Sequence, residues 1–252
     1  MLRFFSKIRY KLAAENRVAK YLRYAIGEIL LVVVGIVIAL QLNIANEKHK
    51  NKEQLREYLI ALNQEIESNI GLINESLDRN NILVNLTHYY LSALNTAEPD
   101  TIKESTITRM TGAMGPQNSG PLESAALTDL INSGLIKNIE NDTLAIKIFK
   151  IQQRLDEYLA SFGELRSAFE NQLNPYLILN ANITAMVDSI DGKRLPPVYF
   201  THNRAAFINN REFSNILTSR LIFNFRSKSR LTMTKDWMTA LNSEIEEYLA
   251  TH

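Results

Sequence analysis

The chain has no cysteine. Disulfides, a thiolate nucleophile and cysteine-ligated zinc or iron–sulfur centres are excluded with it. Glycine and proline are scarce, 9 and 6 in 252 residues. That is below ordinary usage, and it disfavours turn-rich all-β folds and favours long helices. An excess of one charge is also missing: 28 Lys+Arg stand against 27 Asp+Glu, a net +1 with 22% charged residues. The balance excludes an acidic tail, a strongly basic nucleic-acid-binding protein and a disordered chain. No Walker loop, GxGxxG, GxSxG or HExxH occurs, so the common phosphate, dinucleotide, serine-hydrolase and zincin signatures are absent. None of this names an activity. What is present shows placement and architecture instead.

The even charge hides an asymmetry. Residues 1–24 carry seven basic side chains (Arg3, Lys7, Arg9, Lys11, Arg17, Lys20 and Arg23) and one acid, Glu15, for +6. The rest of the chain holds 21 basic and 26 acidic groups, or −5.

The basic segment runs into the most apolar stretch. Ile29–Leu40 is twelve residues without a polar side chain. Ala25–Leu42 extends it to eighteen, with Glu28 and Gln41 near the ends. At about 1.5 Å rise per residue this is roughly 27 Å of helix, close to the hydrocarbon thickness of a bilayer. A helix satisfies its own backbone groups there. Glu28 falls near the interface, where a charge costs far less than at the centre, and Tyr21 and Tyr24 fit an aromatic belt. A buried core helix and a cleaved signal peptide compete with this reading. The basic region is long for a signal peptide, and no small-x-small site follows Leu40, so a retained span is preferred. Seven basic residues precede the span, against Lys48, Lys50, Lys52 and Arg56 just after it. The excess predicts a cytoplasmic N-terminus and an extracytoplasmic remainder. Within residues 1–24, Leu2, Phe4, Phe5, Ile8 and Leu12 interleave with basic residues. Two readings stand: a basic amphipathic helix on an anionic membrane face, or a plain topogenic flank.

After the span the pattern is helical. Leu55, Leu59, Leu62, Ile66, Ile70, Ile73 and Leu77 are spaced 4-3-4-4-3-4, an eleven-residue repeat that predicts a nearly straight seam. Gly112, Gly115, Pro116, Gly120 and Pro121 mark a break within 96–121, read as a connection with some short local helix. A short helix follows near Leu122–Asn132, with Gly134 as its C-terminal cap. Asn141 or Asp142 caps the next. Its apolar positions Leu144, Ile148, Ile151, Leu155, Tyr158, Phe162, Leu165 and Phe169 alternate by four and three, the heptad pattern, and Pro175 closes it. Residues 175–208 read as irregular, with Asp191-Gly192 as a turn. The last helix starts near Asn210 and uses Phe213, Leu217, Leu221 and Phe225, then Leu231, Trp237, Leu241, Ile245 and Tyr248. Helices with one apolar stripe each bury those stripes together in a bundle.

Candidate chemistry is thin. His49, His88, His202 and His252 lie far apart, and none has a second histidine at ligand spacing. Asp188 to Gly192 faintly resembles a calcium loop but lacks the alternating oxygen ligands. Glu244, Glu246 and Glu247 read as a solvated helix face. Glu28 is a lone acid beside the span. Arg220, Arg226, Lys228, Arg230 and Lys235 offer either an anion or headgroup site or pairing with helix acids, and pairing is the simpler expectation. No catalytic, cofactor or metal residue is assigned.

One resemblance covers most of the chain in layout. FFSKIRYKL, the block KYLRYAIGEILLVVVGIVIALQ, the asparagine-and-lysine stretch after it and, later, SGLIKNIENDTL at Ser133–Leu144 resemble a large family of uncharacterised single-span membrane proteins common in Bacteroidota. Members often carry a second Asn and a Trp after the span; this chain has Leu42-Asn43-Ile44-Ala45-Asn46. The resemblance implies a membrane-anchored helical protein and no activity, since the family is a domain of unknown function.

The expectation is an all-α protein. One N-terminal transmembrane helix precedes an extracytoplasmic antiparallel helical bundle, partitioned as a basic cytoplasmic segment 1–24, a span 25–43 and a bundle 44–252 with a Gly/Pro-rich loop at 96–121. Placement is the bacterial inner membrane with a periplasmic C-terminal domain. The expected partners are the lipid bilayer and a protein partner or a second copy, with no nucleic acid and no cofactor. The expected role is a non-catalytic interaction or sensing module. An envelope enzyme with a bundle-core site, or a structural assembly factor, are the alternatives.

Overall fold

The computed structural model describes residues 18–96, 98, 101–115, 121–187, 189–196 and 198–251. Most of the basic segment, Asp188 and His252 lie outside them. The fold is mostly helical. Helix α1 runs Val18–Thr96, α2 Glu104–Ala113, α3 Ala125–Ser133, α4 Asp142–Ala168, α5 Asn174–Asn180 and α6 Arg211–Thr251. The strands are β1 Ser189–Ile190 and β2 Lys193–Arg194, an antiparallel pair turned by Asp191 and Gly192, both at positive φ.

The chain divides into two compact units, one up to Arg56 and one from Glu57 onward. In the first, the described residues are helical. Ile29, Leu30, Leu31, Val32, Ile36 and Ile38 are all more than half exposed. This is the one helix among the described residues that is long and apolar enough to cross a membrane, and none of its most apolar 18-residue window is buried. Six largely exposed aliphatic side chains within ten residues are costly in water, since fully burying such a side chain is worth about 1.5–3 kcal/mol.

The second unit is a bundle of the later part of α1, α4 and α6. Polar contacts fix their directions. On α1 and α6, Asn63 meets Glu246, Asn80 meets Asn224 and Asn95 meets Ser214. On α4 and α6, Lys147 pairs with Glu244, Arg154 lies over Trp237 and Glu164 pairs with Arg230. Helix α6 therefore opposes both others, and α1 and α4 run the same way. The expected antiparallel bundle is corrected to this mixed arrangement. Parallel neighbours need a return connection, and residues 97–141 supply it, with α2 and α3 formed on the way.

The inward positions also differ from the expectation. On α1 they are Leu59, Leu62, Ile66, Asn69, Ile73, Ser76 and Asn80, spaced 3-4-3-4-3-4. The seam is a heptad, and the eleven-residue reading is wrong. Ile70 and Leu77 are only half-buried, while Asn69 and Ser76 take the inward places. On α4, Ser161 is buried where Phe162 was expected. On α6 Leu221 is buried as expected, and the other buried residues, Phe213, Leu217, Arg220, Asn224, Ser227, Leu231, Thr234, Met238, Leu241 and Ile245, follow a heptad; Phe225 is exposed.

Several caps fall where expected. Gly134 adopts the left-handed conformation (φ 68°) after α3, and the Asn141 side chain accepts from the Leu144 N–H. Pro175 does not close its helix. A π turn, Phe169–Leu173, precedes α5, with the Asn174 N–H bonding the Phe169 carbonyl five residues back. Proline lacks an N–H and crowds the carbonyl four residues earlier; the wider turn lets the helix pass through it.

Beyond this π turn lies a second core. Tyr176 stacks on Phe213 with centroids 5.4 Å apart, and Phe207 meets Phe213 edge-on at 5.0 Å. Ile107 and Met110 from α2 and Leu94 from α1 complete it. The Tyr176 hydroxyl donates to the Ala206 carbonyl, tying down the irregular 201–210 segment.

Candidate functional site

The heptad phase places polar side chains in the bundle interior. Ser76 and Asn80 from α1, Tyr158 and Ser161 from α4, and Arg220, Asn224 and Ser227 from α6 are all buried. Buried polar groups are costly unless partnered. Some here are. The Ser76 hydroxyl donates to the Leu72 carbonyl at 2.9 Å and lies 3.4 Å from the Tyr158 hydroxyl. The Asn80 amide donates to the Asn224 carbonyl at 3.2 Å, with the Asn224 Oδ1 at 3.5 Å. Ser161 donates to the Glu157 carbonyl at 3.0 Å.

Four buried polar atoms are not. Asn80 Oδ1, Asn224 Nδ2, Ser227 Oγ and Arg220 Nε have no hydrogen-bond partner. Arg220 stands out. It is 7% exposed and donates from Nη2 to the Gly115 carbonyl at 2.8 Å. Its guanidinium carbon sits 5.9 Å from the Phe169 ring centroid. Burial lowers its pKa to about 10, still far above neutrality, so it is charged.

A second polar site holds the other end together. His202 is buried. Its Nδ1 accepts from the Asn182 N–H at 3.0 Å and its Nε2 lies 2.9 Å from the Thr108 hydroxyl. Glu104 accepts from the His202 N–H at 2.8 Å. Burial lowers the His202 pKa, opposed by the Glu104 charge. The ring is therefore neutral, with its proton on Nε2, where it donates to Thr108.

A third group joins α1 to α3. Ser124 makes no side-chain cap on α3. Glu65 instead accepts from the Ala126 and Leu127 N–H groups at 2.7 and 3.2 Å. Asn69 pairs with both backbone groups of Glu123, at 2.9 and 2.7 Å.

The sequence candidates scatter. Glu244 pairs with Lys147 and Glu246 accepts from Asn63 and Asn242. Arg230 pairs with Glu164 at 2.9 Å and Arg226 lies over Phe223, so only Arg220 of the basic set is buried. His88 is exposed, edge-on to Phe225. Glu28 is half-buried in the first unit. Among the described residues no three acids or histidines gather as metal ligands do. Chemically, the interior layer can donate and accept hydrogen bonds and can hold a negative charge.

The missed residues had a readable signal. Phe213, Leu217, Leu231, Met238, Leu241 and Ile245 fix a heptad phase by themselves. Arg220, Asn224 and Ser227 fall in that phase and are inward for that reason. No family model, no curated protein and no solved structure matches the chain.

Proposed function

We propose that the chain is a membrane-anchored interaction or sensing module, held in the bacterial inner membrane by the apolar part of α1. Its N-terminus is cytoplasmic and its bundle periplasmic. It acts by binding, and it belongs to the single-span family that its opening resembles. The observation that carries this reading is the continuity of α1. One helix, Val18–Thr96, bears both the exposed apolar run and the inward polar positions Asn69, Ser76 and Asn80. The interior layer favours binding over catalysis, since it offers amides, hydroxyls and a guanidinium. An envelope enzyme would need a general acid and base there. Two apolar side chains of the second unit are strongly exposed, Leu179 at 81% and Tyr199 at 96%, and Tyr199 is the point at which a partner contact is tested.

The absence of cysteine makes the test direct. Single variants Tyr10→Cys and Ala160→Cys are treated with a membrane-impermeant maleimide in cells with a permeabilised outer membrane. Labelling at 160 and protection at 10 is expected. Labelling at 10 with protection at 160, or at both before lysis, overturns the orientation. A photocrosslinking residue at position 199, in native membranes, is expected to trap a discrete protein adduct that one at exposed position 160 does not. Identical patterns overturn the interaction reading.

A further inference from the structure

The geometry points to Arg220, with Asn224 and Ser227, as a binding site for the oxyanion group of a small molecule, a carboxylate or a phosphate. Arg220 is a buried cation without a carboxylate partner among the described residues. Its positive charge meets a backbone carbonyl and an aromatic face, and neither neutralises it. Burying an ion costs several kcal/mol unless another charge compensates it. The sequence that follows Gly115, PQNSG from Pro116 to Gly120, contains no acid.

Three of the four unpartnered atoms in this layer agree in sign, while the fourth, Asn80 Oδ1, is an acceptor. Arg220 Nε and Asn224 Nδ2 are donors, and the Ser227 hydroxyl can donate. The Asn224 amide is turned so that its Oδ1 faces the Asn80 amide nitrogen, which leaves the donor end free. The three residues are spaced by four and three, on one face of α6. A guanidinium beside an amide N–H₂ is a donor set that fits two oxygens sharing a negative charge. The stacked Phe169 opens the π turn Phe169–Leu173, and π turns inside helices recur at functional sites. This inference concerns the bundle alone, so it holds whichever side of a membrane the bundle occupies.

The test uses the full chain in detergent micelles and follows thermal unfolding at constant ionic strength. Acetate, succinate and inorganic phosphate are each titrated against chloride. A ligand of the folded state stabilises it by RT ln(1 + [L]/Kd), so the midpoint climbs with the logarithm of concentration above Kd. The wild type is expected to show such a rise with a carboxylate or phosphate and none with chloride. Which anion acts at the lowest concentration separates the carboxylate from the phosphate. Arg220→Met keeps the stem and removes the charge. It is expected to melt at or above the wild-type temperature in chloride and to show no anion response. Should Arg220→Met not fold, Arg220→Lys keeps a charge without the Nε donor. The anion concentration that gives a set rise in midpoint is then expected to increase at least tenfold. A wild type that no oxyanion stabilises, or variants with the wild-type response, overturn the proposal.

Discussion

His202 shows how one side chain fixes a loop and gives it a pH limit. Its Nδ1 holds the Asn182 N–H and its Nε2 the Thr108 hydroxyl, so one ring joins three separated segments. Burial lowers its pKa below the ordinary 6.5. The unfolded chain therefore takes up the proton first as pH falls. The stability tied to neutral His202 is complete above about pH 6.5 and is lost progressively below it, toward the folded pKa. Protonation also puts a second N–H where Nδ1 must accept. We predict that His202→Gln is less stable than wild type at pH 7.5 but loses less in thermal midpoint on moving to pH 5.5. Parallel pH slopes for the two proteins would refute this. The sequence did not distinguish this histidine from the other three. Its burial depends on contacts 20 and 94 residues away, to Asn182 and Thr108, and no local pattern encodes those.

At the scale of the element, the α3 helix is capped from outside. Glu65 satisfies two N–H groups that its own N-cap, Ser124, leaves open. Asn69, one turn on, clamps Glu123. Loss of a helix cap costs about 0.5–2 kcal/mol. Glu65→Ala is expected to lower stability by about 1–2 kcal/mol in chemical denaturation and to raise hydrogen exchange first in residues 125–133. Uniform exchange across the bundle would contradict the assignment.

Asn69, together with Ser76, also explains where the sequence reading went astray. Treating apolar residues as the inward face made Ile70 and Leu77 part of the seam and turned a heptad into an eleven-residue repeat. The inward places belong to Asn69 and Ser76, because a cap and a hydroxyl pair need them there. The Gly134 and Asn141 caps were legible, being local chemistry. The passage through Pro175 was not, because the π turn that permits it is a backbone adjustment with no residue signature. The polar layer was legible in phase and overlooked in type.

For the whole molecule, the apolar run is the boldest sequence feature. Its side chains are exposed as a bilayer would have them. Each Lys at the centre of a span costs about 2.5–3.5 kcal/mol. The double variant Val33→Lys with Ile36→Lys is expected to move the chain from the carbonate-resistant membrane fraction to the soluble one, with the melting of the bundle unchanged. Continued membrane retention would count against a span. The segment 96–121 was expected as a connection with some short helix, and α2 lies in it. The direction of α4 was not foreseen, since apolar periodicity is the same read either way along a helix.

The opposed directions of α1 and α6 have a mechanical consequence. Helix α6 returns to the end where the bundle begins, with Asn63 beside Glu246. Tension applied between residues 57 and 251 then acts at adjacent ends of an opposed pair. It peels α6 from α1 turn by turn, like a zipper, and the polar rung at Asn80 and Asn224 is reached only after the apolar rungs have opened. The bundle yields to such a pull at low force. The same load applied between residues 96 and 251 would have to slide the two helices past each other and break every rung at once.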